Sequence, residues 1–463
     1  MYKFLFAILL FPLLINAQNK ADSSFIRGLY TRALVQGDAY NWLKQLTDLT
    51  TENGNRLSGS PGATKAVEWG AEVLKDNRYT VSLQSVIVPH WVRGGKEECF
   101  LYTFDEKSKK KKKIPLTITA LGNSIGTQGK TLKARIIEVN TRDEIAKLDS
   151  NLVKGSVIFV NHKMRADFIS TFEAYSEAVG ERISAATVAG KYGAIAVIVR
   201  SMTLAYDDYP HTGTLIYRDS ARLIPAAAIS TIDADVLSYY LKLYPESEVT
   251  LSLSCEMLPM VESHNVIAEL RGTTYPDEII TMGGHLDAWD KGQGAHDDGA
   301  GIVQSIHALK LLTDNGWLPK RTIRVVLFMN EENGNCGGKE YLKQAIIKKE
   351  KHLAAIESDA GGFCPVAIGI DAGNDTFANL GAHLALLKPY GIDIKNGGGG
   401  VDIGPLQIIG TVTLSLEPSN QRYFDYHHAD TDVFSAVNKR ELELGAATIA
   451  ATVYILSEYG FGK

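Results

Sequence analysis

A set of residues that can bind metal ions follows an apolar segment in the second half of the chain. Residues 279–284 form an apolar run that predicts a buried strand, and His285 and Asp287 stand at its end. Asp297 and Asp298 lie in the glycine-rich segment just beyond. Because ligands in open α/β sheets bind at the carboxyl ends of the strands, this stretch predicts a metal site at that edge.

Three further strand or loop ends carry residues of the same types. The apolar run 322–330 ends at Glu331 and Glu332, and the run 353–358 leads to Asp359. A segment near the C-terminus contributes two histidines and two aspartates: His427, His428, Asp430 and Asp432. So many carboxylates repel one another unless a cation offsets their charge, so the four ends together favour a metal centre.

The residue types indicate which metal is bound. Imidazole and carboxylate ligands without thiolate suit zinc, with manganese or cobalt as alternatives. The four cysteines are scattered and form no C-x-x-C pair, which argues against a zinc–thiolate site and leaves disulfide pairing open. Two histidines and three carboxylates exceed one tetrahedral site with an open position, so we expect two zinc ions per chain that share a carboxylate.

The adjacent glutamates predict how a proton is moved. One of Glu331 and Glu332 can bind metal while the other acts as a general base toward a water molecule. Asp287 lies two residues after His285 on the same strand and points to the same face. We expect its carboxylate to accept the imidazole N–H and fix the tautomer of the ring.

The site motifs also carry a family resemblance. GGHLDAWDKGQGAHDDGAG, NEENG, ESDAGG and YHHADTD, in this order, resemble the co-catalytic two-zinc exopeptidases, which include bacterial zinc aminopeptidases. The likeness covers most of the chain and extends to RLSGSPGA, LGNSIGT and GGGVDIGPL. It implies a phosphorylase/hydrolase-like α/β fold with a smaller inserted protease-associated domain.

The resemblance implies a role for each metal-binding residue. His285 and Asp359 would bind one zinc ion, Glu332 and His428 would bind the other, and Asp297 would bridge the two. A cis peptide bond follows the bridging aspartate in the family and is expected between Asp297 and Asp298.

Two further roles follow from the same resemblance. Glu331 would be the general base, and Asp287 would support His285. His428 is chosen over His427 because Asp432 stands four residues after it, although Val433 replaces the threonine that usually follows in the family.

The elements that must position these residues alternate between strands and helices. Predicted strands at 279–284, 322–330, 353–358 and 411–416 are separated by predicted helices at about 300–313 and 338–349. Continuous apolar strands between helices indicate a mostly parallel central sheet flanked by helices. Short apolar strands between 129 and 262 predict an inserted α/β domain, so that 18–128 and 263–463 form the two parts of the catalytic domain.

The start of the chain and its charge indicate where it acts. Residues 1–17 contain an apolar run too short to span a bilayer and predict a signal peptide cleaved near Gln18. We therefore expect a secreted or periplasmic protein without a membrane anchor. The net charge of −5 gives no reason to expect a nucleic-acid partner, and the lysine run 109–113 is interpreted as a solvated hairpin tip.

Some residues also match the motifs of other enzyme classes. GNSIG at 122–126 matches the serine-hydrolase elbow, but a turn follows it instead of a helix, and no H-E-x-x-H motif occurs. A glutaminyl cyclase-like acyltransferase or a non-catalytic receptor-like protein on the same fold remain alternatives. We expect an exopeptidase for dipeptides or short peptides. The sequence leaves open which terminus is recognised and whether the chain forms a homodimer.

Overall fold

The computed structural model describes residues 3–218 and 222–462, with side chains from residue 20 onward. The predicted signal peptide, residues 1–17, lies outside the part whose side chains are described. Within these ranges, no helix has both the length and the apolar character that a bilayer-spanning segment needs.

The described chain alternates helices and strands. The helices are α1 (Lys3–Gln36), α2 (Ala39–Asn53), α3 (Pro61–Asp76), α4 (Arg142–Ile145), α5 (Ser150–Val153), α6 (Thr171–Lys191), α7 (Thr231–Leu243), α8 (Ala300–Asp314), α9 (Cys336–Lys348), α10 (Asn374–Leu384), α11 (Tyr423–Tyr426) and α12 (Lys439–Tyr459). The strands are β1 (Thr80–Val92), β2 (Glu97–Phe104), β3 (Lys111–Leu116), β4 (Ile118–Ala120), β5 (Leu132–Val139), β6 (Val157–Val160), β7 (Ala196–Arg200), β8 (Ala226–Ile229), β9 (Glu248–Leu253), β10 (Glu256–Leu270), β11 (Tyr275–His285), β12 (Arg321–Phe328), β13 (Lys351–Glu357), β14 (Pro365–Asp371), β15 (Asp393–Asn396) and β16 (Val412–Pro418). A π-helical turn spans Ala295–Gly299, and 3₁₀-helices span Ala385–Tyr390, Gly404–Ile409 and Phe434–Ala436.

The first sheet has the order β1-β10-β12-β11-β13-β16-β14-β15. Its four central strands, β12, β11, β13 and β16, run parallel. Antiparallel pairs occur where β10 joins β1 and β12, and where β14 joins β16. The expected parallel sheet therefore describes the centre, and the complete sheet is mixed. The central strands are almost wholly buried, as continuous apolar runs require.

Helices pack on this sheet because their apolar residues recur at helical spacing. Helix α8 is buried along nearly its whole length, and α12 is buried from Leu442 to Ser457. Ser60 caps α3 by accepting the N–H of Ala63 at 3.0 Å, with Pro61 at the first helical position, as the sequence predicts. These helices hold the central strands rigidly.

The second sheet has the order β3-β2-β9-β5-β6-β7-β8-β4. It starts at Glu97, earlier than the predicted boundary at 129, because β2 pairs with β9 in the register Glu97↔Leu253. At its other end β10 already belongs to the first sheet, before the predicted boundary at 262. Lys109 and Lys110 lie at the exposed tip of the β2–β3 hairpin, as predicted, whereas Lys111–Lys113 of the lysine run belong to strand β3. The assignment as a protease-associated domain stays a prediction.

Candidate metal centre

Three neighbouring strands of the first sheet deliver predicted site residues to one edge. Strand β11 ends at His285, which lies beside Phe328 of β12. Glu331 and Glu332 follow β12 directly, and Asp359 follows β13 on the other side of β11. Because these strands run parallel, their carboxyl ends meet at the same edge, as the sequence predicts.

Asp297 lies between the two histidines that were predicted to bind different metal ions. Its Oδ1 atom is 3.2 Å from Nε2 of His285, and its Oδ2 atom is 3.2 Å from Nε2 of His428. Each carboxylate oxygen thus faces a different imidazole. This is the arrangement that a bridging carboxylate requires.

The hydrogen bonds of His285 indicate a place for a cation. Its Nδ1 atom lies 2.9 Å from the backbone carbonyl of Asp287, an acceptor, so Nδ1 carries the proton of a neutral ring. Nε2 then presents a lone pair to Oδ1 of Asp297 at 3.2 Å and to Oδ1 of Asp359 at 3.5 Å. The Asp359 oxygen is buried and has no hydrogen-bond partner among the described residues. Three acceptors that face one another call for a proton or a metal ion between them.

His428 repeats the same arrangement. Its Nδ1 atom lies 3.3 Å from the carbonyl of Thr212, and its Nε2 atom faces Oε2 of Glu332 at 3.1 Å and Oδ2 of Asp297 at 3.2 Å. The second group of acceptors shares only Asp297 with the first. The geometry therefore offers two adjoining cation positions.

The donor set fits zinc. Imidazole nitrogens and carboxylate oxygens are typical zinc ligands, and all four cysteines are free thiols. Burial acts to lower the pKa of His285, but the carboxylates of Asp359 and Asp297 raise it well above its ordinary value. Burial and the charge of Asp297 raise the pKa of Glu332 to about 7. For Asp297, burial acts to raise the pKa, but hydrogen bonds with His285 and His428 lower it well below its ordinary value. A cation would take the place of the protons that His285 and Glu332 hold.

His427 is an alternative ligand from the same segment. Its Nε2 atom is 3.8 Å from Oδ2 of Asp297, farther than that of His428, and its ring stacks on His428 with centroids 3.5 Å apart. Burial and the neighbouring His428 lower the pKa of His427 well below its usual range. The shorter distances support the prediction of His428.

Asp287 differs from the expected geometry. Its carboxylate is 3.9 Å from Nδ1 of His285, and its backbone carbonyl accepts the imidazole N–H instead. The Oδ1 atom accepts the backbone N–H groups of Asn330 at 2.6 Å and Glu331 at 3.1 Å. The Asp287 carboxylate therefore supports the turn that carries Glu331, because this turn approaches closer than the ring of His285.

Glu331 lines the cavity above the two predicted metal positions. Burial, followed by the charges of Glu332 and Asp359, raises its pKa well above the ordinary value for glutamate. The Glu331 side chain forms no hydrogen bond with residues 20–218 or 222–462. A carboxyl group that lines the cavity beside the predicted metal positions can serve as a proton-transfer group.

The segment between β11 and α8 is held by its own aspartate. Asp298 accepts the backbone N–H of His285 at 3.0 Å and that of Gly301 at 2.9 Å. The Asp297–Asp298 peptide bond is cis, as expected. His296 stacks on Phe363 with centroids 4.2 Å apart. Asp298 and His296 therefore shape the loop.

Arg56 was not recognised as a site residue from the sequence. Its side chain is fully buried, and it donates to the carbonyls of Leu286 at 3.0 Å, Gly294 at 3.0 Å and Gln293. It thereby fixes both ends of the loop that leads to Asp297. The only available signal was the position of a cation inside the RLSGSPGA motif.

Asp432, one of the candidate metal-binding residues of the C-terminal segment, instead holds the backbone before the predicted bridging residue. Its carboxylate accepts the backbone N–H groups of His296 at 2.7 Å and Asp297 at 3.1 Å. The C-terminal segment thus supplies His428 and also positions the backbone of Asp297. Burial raises the pKa of Asp432 to about 7 despite these two hydrogen bonds.

A cavity of about 480 Å³ opens directly over the site. One wall carries Asp297, Glu331 and His428, and the opposite wall is formed by α6, including Tyr175 and Arg182. This volume suits a small ligand such as a dipeptide. The cavity is therefore enclosed by residues from the regions of both sheets.

Comparison with known proteins agrees with the site motifs. The model of Peptidase family M28 matches residues 265–453. Carboxypeptidase Q of Homo sapiens is 32% identical over 425 residues, covering 91% of this chain and 86% of that protein. Carboxypeptidase Q of Mus musculus is 31% identical with the same coverage.

Solved structures agree as well. The crystal structure of a Peptidase M28 precursor from Shewanella amazonensis matches with a TM-score of 0.88 and 32% identity, covering 95% of this chain and 97% of that one. BSAP, a zinc aminopeptidase from Bacillus subtilis, matches with a TM-score of 0.63, covering 90% and 93% of the two chains. At 17% identity, the second match supports the fold alone.

Proposed function

The chain belongs to peptidase family M28, and we propose that this metallopeptidase is an exported exopeptidase that hydrolyses dipeptides or short peptides with two zinc ions. The position of Asp297 carries the proposal. Its two oxygens face His285 and His428 at 3.2 Å each, so a single carboxylate can serve both ions.

The remaining ligands divide between the two positions. His285 and Asp359 would hold one ion, and Glu332 and His428 would hold the other, with Asp297 shared. Glu332 is fixed in place because its Oε1 atom accepts the backbone N–H of Trp289 at 3.1 Å. Carboxylates held in this way need little rearrangement on binding a cation.

Zinc ions bound there would polarise the scissile carbonyl and lower the pKa of the attacking water. Glu331 would accept a proton from this water as its oxygen bonds to the carbonyl carbon. Glu331 would then return the proton to the amine nitrogen when the C–N bond breaks. Asp287 keeps Glu331 oriented through the backbone N–H that it accepts.

The observations favour hydrolysis over the alternatives. The relatives are named as carboxypeptidases and aminopeptidases, in contrast to an acyltransferase or a receptor. A receptor-like protein has no need of five grouped metal-ligand side chains and a glutamate with a raised pKa beside them. Export rests on the predicted signal peptide at residues 1–17.

The direct test is peptide hydrolysis by the purified mature chain before and after metal removal. A free dipeptide should be cleaved, activity should disappear with a chelator, and added zinc should restore it. The controls are the same dipeptide blocked at either end and a peptide with N-terminal glutamine. Activity that survives chelation would contradict the metal mechanism, and cyclisation without hydrolysis would favour the acyltransferase.

A further inference from the structure

Arg182 is a buried cation with no carboxylate partner among residues 20–218 and 222–462. It lies in α6 with 6% of its surface exposed. Its Nη2 atom donates to the hydroxyl of Tyr175 at 2.6 Å, and its Nη1 atom donates to the Thr212 carbonyl at 3.5 Å. The Nε atom is buried and donates to no atom of residues 20–218 or 222–462. In these residues no carboxylate forms an ion pair with it.

Other buried arginines of the chain are satisfied differently. Arg93 pairs with Asp290 and Glu97, Arg200 pairs with Asp235, and Arg324 pairs with Glu269 and Glu350. Arg56 also forms no ion pair with a carboxylate of the described residues, but it donates to three backbone carbonyls. Arg182 donates to one hydroxyl and one carbonyl, and its Nε atom has no acceptor in residues 20–218 or 222–462. An unpaired buried charge costs folding free energy, so its retention points to an anion that arrives from outside.

The guanidinium group faces the cavity of the metal centre. Both the Arg182 side chain and His428 border Gly213, where an added Cβ atom would lie 2.5 Å from Cζ of Arg182 and 2.7 Å from Nδ1 of His428. Gly213 has φ of +129°, a conformation that also requires glycine. The backbone is therefore shaped so that the arginine and the predicted ligand lie close together.

The surroundings of Arg182 strengthen its attraction for an anion. The same wall of the cavity carries the apolar side chains of Val179, Ile183 and Ile216. Few polar groups are available there to screen the charge, so electrostatic attraction acts strongly. The apolar wall also suits an apolar side chain on the bound molecule.

The charge of the complete site selects where that anion would bind. Four carboxylates face the cavity: Asp297, Glu331, Glu332 and Asp359. Two divalent cations would offset these four charges, and Arg182 would remain as a surplus positive charge. A substrate carboxylate fits this position, whereas a substrate ammonium group would be repelled.

We propose that Arg182 binds the free α-carboxylate of the residue that follows the scissile bond, so that the enzyme recognises the carboxy terminus of dipeptides and short peptides. This inference rests on the proposed exopeptidase function. Successive residues are about 3.8 Å apart, so the carboxylate of the leaving residue lies one residue from the attacked carbonyl. A guanidinium group can hold it with two parallel hydrogen bonds.

The test compares alanyl-leucine with alanyl-leucine amide, which differ only in the carboxylate. The protein should cleave the free acid much faster. In Arg182→Gln, kcat/KM for the acid should fall on the order of 100-fold, while that for the amide changes little. Arg182→Lys should recover part of the loss, because it keeps the charge without the two-pronged geometry.

A structural role for Arg182 makes a different prediction. If Arg182 only supports the structure, Arg182→Gln should lower kcat/KM equally for the acid and the amide. That result would overturn the inference while leaving the exopeptidase function intact. Arg200→Gln is the matched control: it removes a second buried arginine, paired with Asp235, and should leave the acid-to-amide ratio unchanged. If Arg182→Gln does not fold, Arg182→Lys provides the test, because it should still reduce the ratio of kcat/KM for the acid to kcat/KM for the amide.

A binding measurement separates the inference from the proposed function. Calorimetry of the zinc-loaded protein should show binding of L-leucine, weaker binding of leucine amide, and loss of the difference in Arg182→Gln. If no peptide is hydrolysed but this difference exists, the proposed function fails and the carboxylate site stands. Equal binding of leucine and its amide would overturn the carboxylate site.

Discussion

The edge of the first sheet and the wall opposite to it contribute different things to the same cavity. The edge and the loops beside it supply all five predicted metal ligands, including His285 at the end of β11. The opposite wall, around α6, supplies Tyr175, Arg182 and the Thr212 carbonyl that orients His428. In the two proposals above, the edge carries out hydrolysis and the opposite wall selects the substrate.

Because the two regions differ in this way, mutations in them should have different effects. Loss of a residue at the edge should stop the reaction for every substrate. Loss of a residue in the wall should change which substrates react. The predictions below separate the two regions by these effects.

The largest effect is expected at the base. Glu331→Gln should lower kcat by about 10²–10⁴-fold, because the amide cannot accept the proton of water, while zinc content stays the same. Steady-state kinetics with metal analysis checks this. Glu72→Gln, at an exposed glutamate of α3, is the control. Near-normal turnover in Glu331→Gln would remove Glu331 from the base role.

Most of the edge could be predicted from the sequence because its signals are local. A buried strand followed at once by His285, or by Glu331 and Glu332, combines an apolar run with chemically distinctive residues. The sheet then brings these ends together by its parallel pairing. The contact predicted between the Asp287 carboxylate and His285 is made instead by the Asp287 carbonyl, and the sequence does not show which of the two groups meets the ring.

The wall could not be predicted in the same way. The contact between Thr212 and His428 joins residues 216 positions apart, and neither sequence neighbourhood signals the other. The start of the second sheet at Glu97 depends on pairing with Leu253, which is also far away in the sequence. Arg182 resembles any helical arginine until its lack of a carboxylate partner is seen.

The second-largest effect is expected at Arg56, which supports the loop that leads to Asp297. Arg56→Met should lower the free energy of unfolding by about 3–5 kcal/mol, because three loop carbonyls lose their buried donor. Urea denaturation followed by circular dichroism measures this. Lys44→Met, at an exposed lysine of α2 paired with Asp48, should change stability by less than about 1 kcal/mol. An equally small change in Arg56→Met would show that the loop needs no such support.

The smallest effect concerns the junction between the two regions. His211 lies beyond β7, and its Nδ1 atom is 2.7 Å from the carbonyl of His427. Burial lowers the pKa of His211 to about 4, although this carbonyl acts in the opposite direction. The unfolded chain therefore takes up a proton near pH 6.5, whereas the folded chain does so only near pH 4.

The stability that neutral His211 contributes is complete above pH 6.5 and declines as the pH falls toward 4. One such group contributes at most about 1.4 kcal/mol per pH unit. In His211→Gln, which keeps a donor without titrating, the free energy of unfolding should decline less steeply over this range. Unfolding curves at several pH values provide the measurement, and equal slopes would show that His211 does not titrate with unfolding.

The central claim is that Asp297 joins two metal positions into one centre. Its most direct test is a zinc titration of metal-free protein, with bound zinc and dipeptide hydrolysis measured on the same samples. We predict that full activity requires about two zinc ions per chain, and that Asp297→Asn weakens the binding of both. Full activity at one zinc ion per chain would contradict the bridging role of Asp297.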